Sequence, residues 1–191
     1  VSSTPLERFG ELHERWFDPW DTARSWYERR KRAVALACLP RPAYAAVVEP
    51  ACGIGAFTAE LAPRCARLAA SDGLEVAVRR ARQRLAGWPH VSVCRRRLPD
   101  GFPPERASAD LVVLSEILYY LDTGDLDAVV DAAVRALRRG GELLAVHWRP
   151  RADDAARDGD SAHRRLRERS GLEVLVTHCE AEFRAEVLGL R

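Results

Sequence analysis

The chain has 191 residues, close to the length of one domain and enough to bury roughly 70% of the surface its unfolded form exposes. Hydrophobic residues make up 47% and charged residues 30%, which excludes a disordered chain, and a formal net charge of +2 is too small for a nucleic-acid binder. The longest strongly apolar stretches fall well short of the ~20 residues of a membrane span, the N-terminus has no signal-peptide core, and five cysteines with no Cys-x-x-Cys pair argue against a disulfide framework and a zinc site. What remains is a cytoplasmic protein with one domain over residues 1–191.

In chain order, Leu6, Phe9, Leu12, His13 and Trp16 fall on one helical face until Asp18-Pro19 breaks the pattern. Asp21 is the expected N-cap of a second helix carrying Ala23, Trp26, Tyr27, Arg30, Ala33, Val34 and Ala37, and Pro40-Arg41-Pro42 ends it. Residues 1–40 are therefore read as a helical lid on a core spanning 44–191. Lys31, in this segment, is the only lysine of the chain.

Past Pro42 short apolar runs alternate with helical patterns. Strands are expected at 45–50, 67–72, 91–95, 110–115 and 142–148. Helices are expected after the glycines at 53–55, over 75–85, and through Leu126, Val129, Val130, Ala133, Val134 and Leu137, capped by Asp122 or Thr123 and ended by Gly140. A polar helix over 160–169 precedes two strands, 172–178 and 182–190, too closely joined to be parallel. The expected architecture is α/β: a Rossmann-like, doubly wound, mostly parallel seven-stranded sheet with one antiparallel strand.

The informative segment is V-V-E-P-A-C-G-I-G, residues 47–55, where a strand ends in Glu49 and turns through Ala51, Cys52, Gly53 and Gly55 into a helix. At the carboxyl end of the first strand of such a sheet, glycines let a ligand approach the backbone. Thr58 stands where a dinucleotide fingerprint has its third glycine, and no Gly-Lys-Ser/Thr follows, so neither NAD nor a Walker phosphate loop fits. Asp72, followed by Gly73, ends the second strand, where a carboxylate accepts hydrogen bonds from both hydroxyls of an adenosine ribose. Glu49 suits an amino group better than a pyrophosphate. Together these features point to S-adenosylmethionine.

E-P-A-C-G-I-G resembles the first motif of Rossmann-like class I methyltransferases, with Ala51 where that family usually has a glycine; Asp72 matches the second-motif acid and Leu98 the residue beside the adenine. Within that superfamily the chain resembles the nodulation protein S family. The matching stretches are Asp18-Pro-Trp20, Ser25-Trp-Tyr-Glu-x-Arg-Lys31, Leu36-Ala-Cys-Leu-Pro40, Leu114-Ser-Glu116 with Tyr119-Tyr120, Leu143-Leu-Ala-Val-His-Trp-Arg149, and Gly159-Asp160 with His163. The resemblance implies an S-adenosylmethionine-dependent N-methyltransferase acting on the amine of an amino sugar, a chitooligosaccharide or a related small molecule. Two departures stand out. Pro63 should shorten the helix after the glycine loop, and Arg96 and Arg97, not an acid, accompany Leu98.

An amine must be neutral to attack a methyl group, so a carboxylate or imidazole at the ligand edge is the candidate amine-handling group. Glu116, beside Ser115 at the end of the fourth strand, is the first candidate, and His147, ending the fifth, the second. Of Tyr119 and Tyr120, one is expected to line the pocket and one to pack in the core, with Tyr120 taken as the catalytic candidate. Trp20 and Arg30 of the lid, with Ser115, are the further expected cofactor contacts. The alternative is a non-catalytic protein that binds an adenosine ligand in the same place.

Overall fold

The computed structural model describes residues 2–102 and 107–190. Two helices, α1 (Leu6–Arg15) and α2 (Trp26–Cys38), lead into β1 (Tyr44–Pro50), α3 (Ala56–Leu61), β2 (Cys65–Asp72), α4 (Glu75–Arg84) and β3 (Val91–Arg95). Then follow β4 (Ala109–Ser115), α5 (Thr123–Ala136), β5 (Leu137–Trp148), α6 (Gly159–Ser170), β6 (Glu173–Cys179) and β7 (Phe183–Gly189). The strands form one sheet in the order β3-β2-β1-β4-β5-β7-β6, and only β7 runs against its neighbours. A parallel β6–β7 pair would need a long crossover, and the turn between them is too short for one. This is the Rossmann-like arrangement expected from the alternation of elements. Its strand order reverses between β1 and β4, where such sheets bind ligands at their carboxyl edge.

β4 shows why these strands read as continuous apolar runs. Leu111 and Val113 face the layer containing Ala35 of α2, Phe57 of α3 and Val78 of α4. Val112 and Leu114 face Val130 of α5 and Leu166 of α6. Both faces are covered, so neither can be polar.

Four local features refine the sequence reading. The N-cap of α2 is Ser25, whose Oγ accepts the Glu28 N–H at 3.4 Å, while Asp21 sits in the left-handed region at φ 49°. α2 is a layer of the sandwich and not part of a lid, because Ala35 and Leu39 are buried on the sheet. α5 stops at Ala136, before Gly140: Leu137 already pairs with Ala109 of β4, and the Gly140 N–H donates to Leu190 O at 2.8 Å. The helical spacing of Leu137 with Val130 and Val134 is lost to this strand pairing. Pro63 acts as expected: α3 ends at Leu61 and passes into a 3-10 turn over Ala62–Arg64. No helix among the described residues is long and apolar enough to cross a membrane.

Candidate active site

A cavity of about 570 Å³ lies at the carboxyl edge of β1, β2, β4 and β5, and the segment before α2 forms its outer wall through Thr4, Leu6, Phe9 and Trp20. Its inner wall starts with Glu49, the penultimate residue of β1. The carboxyl is 1% exposed and its Oε2 has no hydrogen-bond partner among the described residues. Burial pushes its pKa up to about 8. A buried carboxyl oxygen without a partner carries an uncompensated desolvation cost.

The turn that follows borders the same space through Ala51, Cys52 and Gly53. Gly53 has φ 56°, and a Cβ there would meet no atom within 4 Å, so that side chain would project into open space. Gly55, at φ 76°, does not line the cavity. A Cβ on it would come within 3.1 Å of Leu85 and 3.3 Å of Ala81, so this glycine lets the α3 turn approach the end of α4.

Asp72 ends β2 on the opposite side of the turn. Its Oδ2 accepts the Gly53 N–H at 3.0 Å and its Oδ1 the Leu74 N–H at 2.9 Å. It is not the cap of α4, whose N-cap residue is Leu74 with no side-chain capping bond. Burial raises its pKa against the backbone donors that lower it. Gly73 also lines the cavity, and a Cβ on it would sit 3.0 Å from Leu6, so glycine here lets α1 close on β2. Leu98, with Arg96 and Arg97, borders the cavity next to this pair.

The other half is built on the end of β4. Ser115 and Glu116 line it, and Glu116 has φ 54°, a conformation costly for a side chain with a Cβ. Its Oε2 accepts the Trp148 N–H at 3.1 Å and the Tyr119 hydroxyl; its Oε1 lies 2.6 Å from Lys31 Nζ. Lys31 is 3% exposed, pairs also with Glu28 Oε1 at 2.8 Å, and stands 5.0 Å from the centre of the Tyr27 ring. Burial alone would lower its pKa, but Glu116 and Glu28 outweigh it, so the ammonium is held charged. Both Tyr119 and Tyr120 are buried and both border the cavity, and burial raises the Tyr120 phenol to about 12.

Besides Gly55, two expected site residues stand elsewhere. His147 is 0% exposed and does not line the cavity; its Nε2 already accepts the Leu118 N–H at 3.1 Å, and burial holds its pKa well below the usual histidine range. It has no free lone pair with which to take a proton from a ligand. Arg30 also lies outside the cavity lining, its guanidinium bonded to both Glu180 oxygens at 2.7 Å. Trp20 lines the cavity, with its ring 5.6 Å from His13 and 6.2 Å from Phe9. Reasoning from the sequence missed Lys31 and Glu28. The available signal was a lone lysine in an arginine-rich chain, one helical turn after a glutamate.

The model of the nodulation protein S (NodS) family matches residues 10–158. Nodulation protein S of Rhizobium tropici is 35% identical over 129 residues, which cover 66% of this chain and 53% of that protein. The chain thus spans about half the length of this relative. A crystal structure described as a candidate methyltransferase from Pseudomonas syringae is 43% identical, with a TM-score of 0.77, over 86% of this chain and 99% of that one. The N-methyltransferase NodS of Bradyrhizobium japonicum WM9, in complex with S-adenosylhomocysteine, is 27% identical with a TM-score of 0.85, over 95% of this chain and 97% of that one. With the family model covering most of its length and a fold that superposes on these methyltransferases, the chain belongs to the nodulation protein S family.

Proposed function

We propose that the chain is an S-adenosylmethionine-dependent N-methyltransferase of a small-molecule amine. The observation that carries this reading is Glu49: an orphaned, buried carboxyl oxygen beside a turn whose Gly53 leaves open space for a ligand. That donor set fits the cofactor. Glu49 would hold its α-ammonium, Asp72 its ribose hydroxyls through the lone pairs not taken by Gly53 and Leu74, and Leu98 would lie against the adenine. The NodS relative crystallised with S-adenosylhomocysteine supports the same reading.

When bound, S-adenosylmethionine supplies an electrophilic methyl group on a sulfonium; the protein's part is position and exclusion of water. The Glu116 carboxylate faces the cavity with its oxygens committed to Lys31, Tyr119 and Trp148. Its role is to draw the cationic amine to the β4 edge; once the ammonium has lost a proton to solvent, the carboxylate holds the neutral amine with its lone pair toward the methyl group, with Tyr27, Tyr119 and Trp148 as walls. The family relationship favours the free amine of an amino sugar or a de-N-acetylated chitooligosaccharide, met in the cytoplasm.

The test is a panel of glucosamine oligomers carrying one free amine, their fully N-acetylated counterparts, and simple alkylamines, each mixed with S-adenosylmethionine. Release of S-adenosylhomocysteine that requires the free sugar amine is the expected result. Tight cofactor binding with no turnover on any amine would overturn it in favour of a non-catalytic adenosine-binding protein.

A further inference from the structure

Behind the β4 edge lies a buried polar chain that neither the cofactor nor the acceptor reading uses. The Leu118 N–H opens a 3-10 turn, Leu118–Tyr120, and donates to His147 Nε2 at 3.1 Å. His147 Nδ1 lies 3.1 Å from His163 Nε2, and His163 Nδ1 lies 2.8 Å from Glu186 Oε2. Both imidazoles are 0% exposed and Glu186 is 2% exposed. Arg167 and Arg184 close the chain on Glu186 Oε1 at 2.7 Å and 3.1 Å.

Only one assignment of protons satisfies every contact. Nε2 of His147 must accept from Leu118, so its Nδ1 carries the proton and donates to His163 Nε2. The His163 proton is then on Nδ1, where it meets the carboxylate. Both rings are neutral. A second proton on either ring turns an acceptor into a donor, setting two N–H groups face to face, either between the rings or at Leu118.

The far end of the chain holds the turn that joins the lid to the site. Tyr119 of that turn donates its hydroxyl to Glu116; Tyr120 accepts the Thr4 N–H on its carbonyl oxygen at 2.8 Å and meets the Phe9 ring edge-on at 4.9 Å. Thr4, Phe9 and Tyr120 all wall the cavity.

We propose that His147 and His163 are positioning residues. As a neutral relay from Glu186 to the Leu118 N–H, they hold the 118–120 turn against the lid and so keep the cofactor cavity closed. The inference rests on the cofactor reading above. Every other charged or polar group facing the relay is already committed: Lys31 of α2 and the Tyr119 ring beside His147, Arg167 of α6 and Arg184 of β7 on Glu186.

The experiment is calorimetric titration of S-adenosylhomocysteine into the whole chain near neutrality. His147→Leu, which leaves the Leu118 N–H without an acceptor, should bind on the order of tenfold more weakly than wild type. His147→Gln can accept from Leu118 through its amide oxygen, so it should restore affinity to within about threefold of wild type.

A folded His147→Leu with wild-type affinity, or a folded His147→Gln as weak as His147→Leu, would overturn the relay. Two-bond proton–nitrogen correlation of the histidine rings at neutral pH provides an independent check. Both buried rings should be protonated on Nδ1, and the other tautomer on either overturns the relay whether or not ligand binds. Wild type failing to bind S-adenosylhomocysteine near neutrality would instead overturn the cofactor reading.

Discussion

Glu49 and Glu116 stand at the carboxyl ends of β1 and β4, which are neighbours in the sheet, yet they have opposite surroundings. Glu49 is sealed in with an oxygen that has no partner, and its carboxyl is held up to about 8. Glu116 is half-exposed and already paired with a lysine, a tyrosine and a backbone N–H. The β1 half of the cavity is therefore poised to take a cation from a ligand. The β4 half brings its own cation and offers a ligand a fixed charged surface. Binding and turnover should separate along that line.

Asp72→Ala should break the β1 half most severely. It removes the proposed ribose acceptor and leaves the Gly53 and Leu74 N–H groups without theirs. S-adenosylhomocysteine affinity should fall on the order of 100-fold, as read by calorimetry, while the protein still melts cooperatively. Unchanged affinity with a lowered melting temperature would mean that Asp72 serves the turn alone.

Glu116→Gln tests the β4 half. Turnover of the acceptor should drop about 10- to 100-fold, as expected when a reacting group is displaced by a fraction of an ångström to an ångström, with cofactor affinity within a few fold of wild type. A variant that loses cofactor binding instead would show that the two halves are not separable.

Glu49→Gln sharpens the comparison through pH. An acid whose folded pKa is raised contributes stability that is full below its unfolded pKa and is lost as pH rises through the folded value, here from the ordinary 4.5 to about 8. The ligand-free variant should therefore match wild type near pH 5 and melt higher above about pH 8. Binding near neutrality should release close to one proton in wild type, because an ammonium favours the carboxylate. Titrations in buffers of different ionisation enthalpy read that proton, which should vanish in the variant along with about tenfold in affinity.

Arg30→Ala should have the smallest effect. Its pair with Glu180 faces solvent, so cofactor affinity should stay within about twofold and the melting temperature should barely move.

Much of the molecule was legible in the chain because the signals are local. Apolar runs alternating with 3.6-residue periods imply a doubly wound sheet, and the short turn before β7 implies its reversal. The spacing of Glu49, the glycines and Asp72 marks the carboxyl edge where the cavity lies, and Pro63 ends α3 wherever it folds. Local signals also misled where a tertiary contact overrode them: Leu137 fits the α5 stripe but pairs with Ala109, and Asp21 looks like a cap while Ser25 is one.

The sequence by itself determined the sheet, the edge that carries the cavity and the residue types gathered there, since each follows from neighbours within a turn or a strand. Only the tertiary structure decided what each side chain meets. It set Lys31 of α2 against Glu116 of β4, buried His147 behind His163 and Glu186, and turned Arg30 away from the cavity toward Glu180. Burial and charge pairing between distant segments are properties of the packed chain, and they decide whether a carboxylate or an imidazole is free to act.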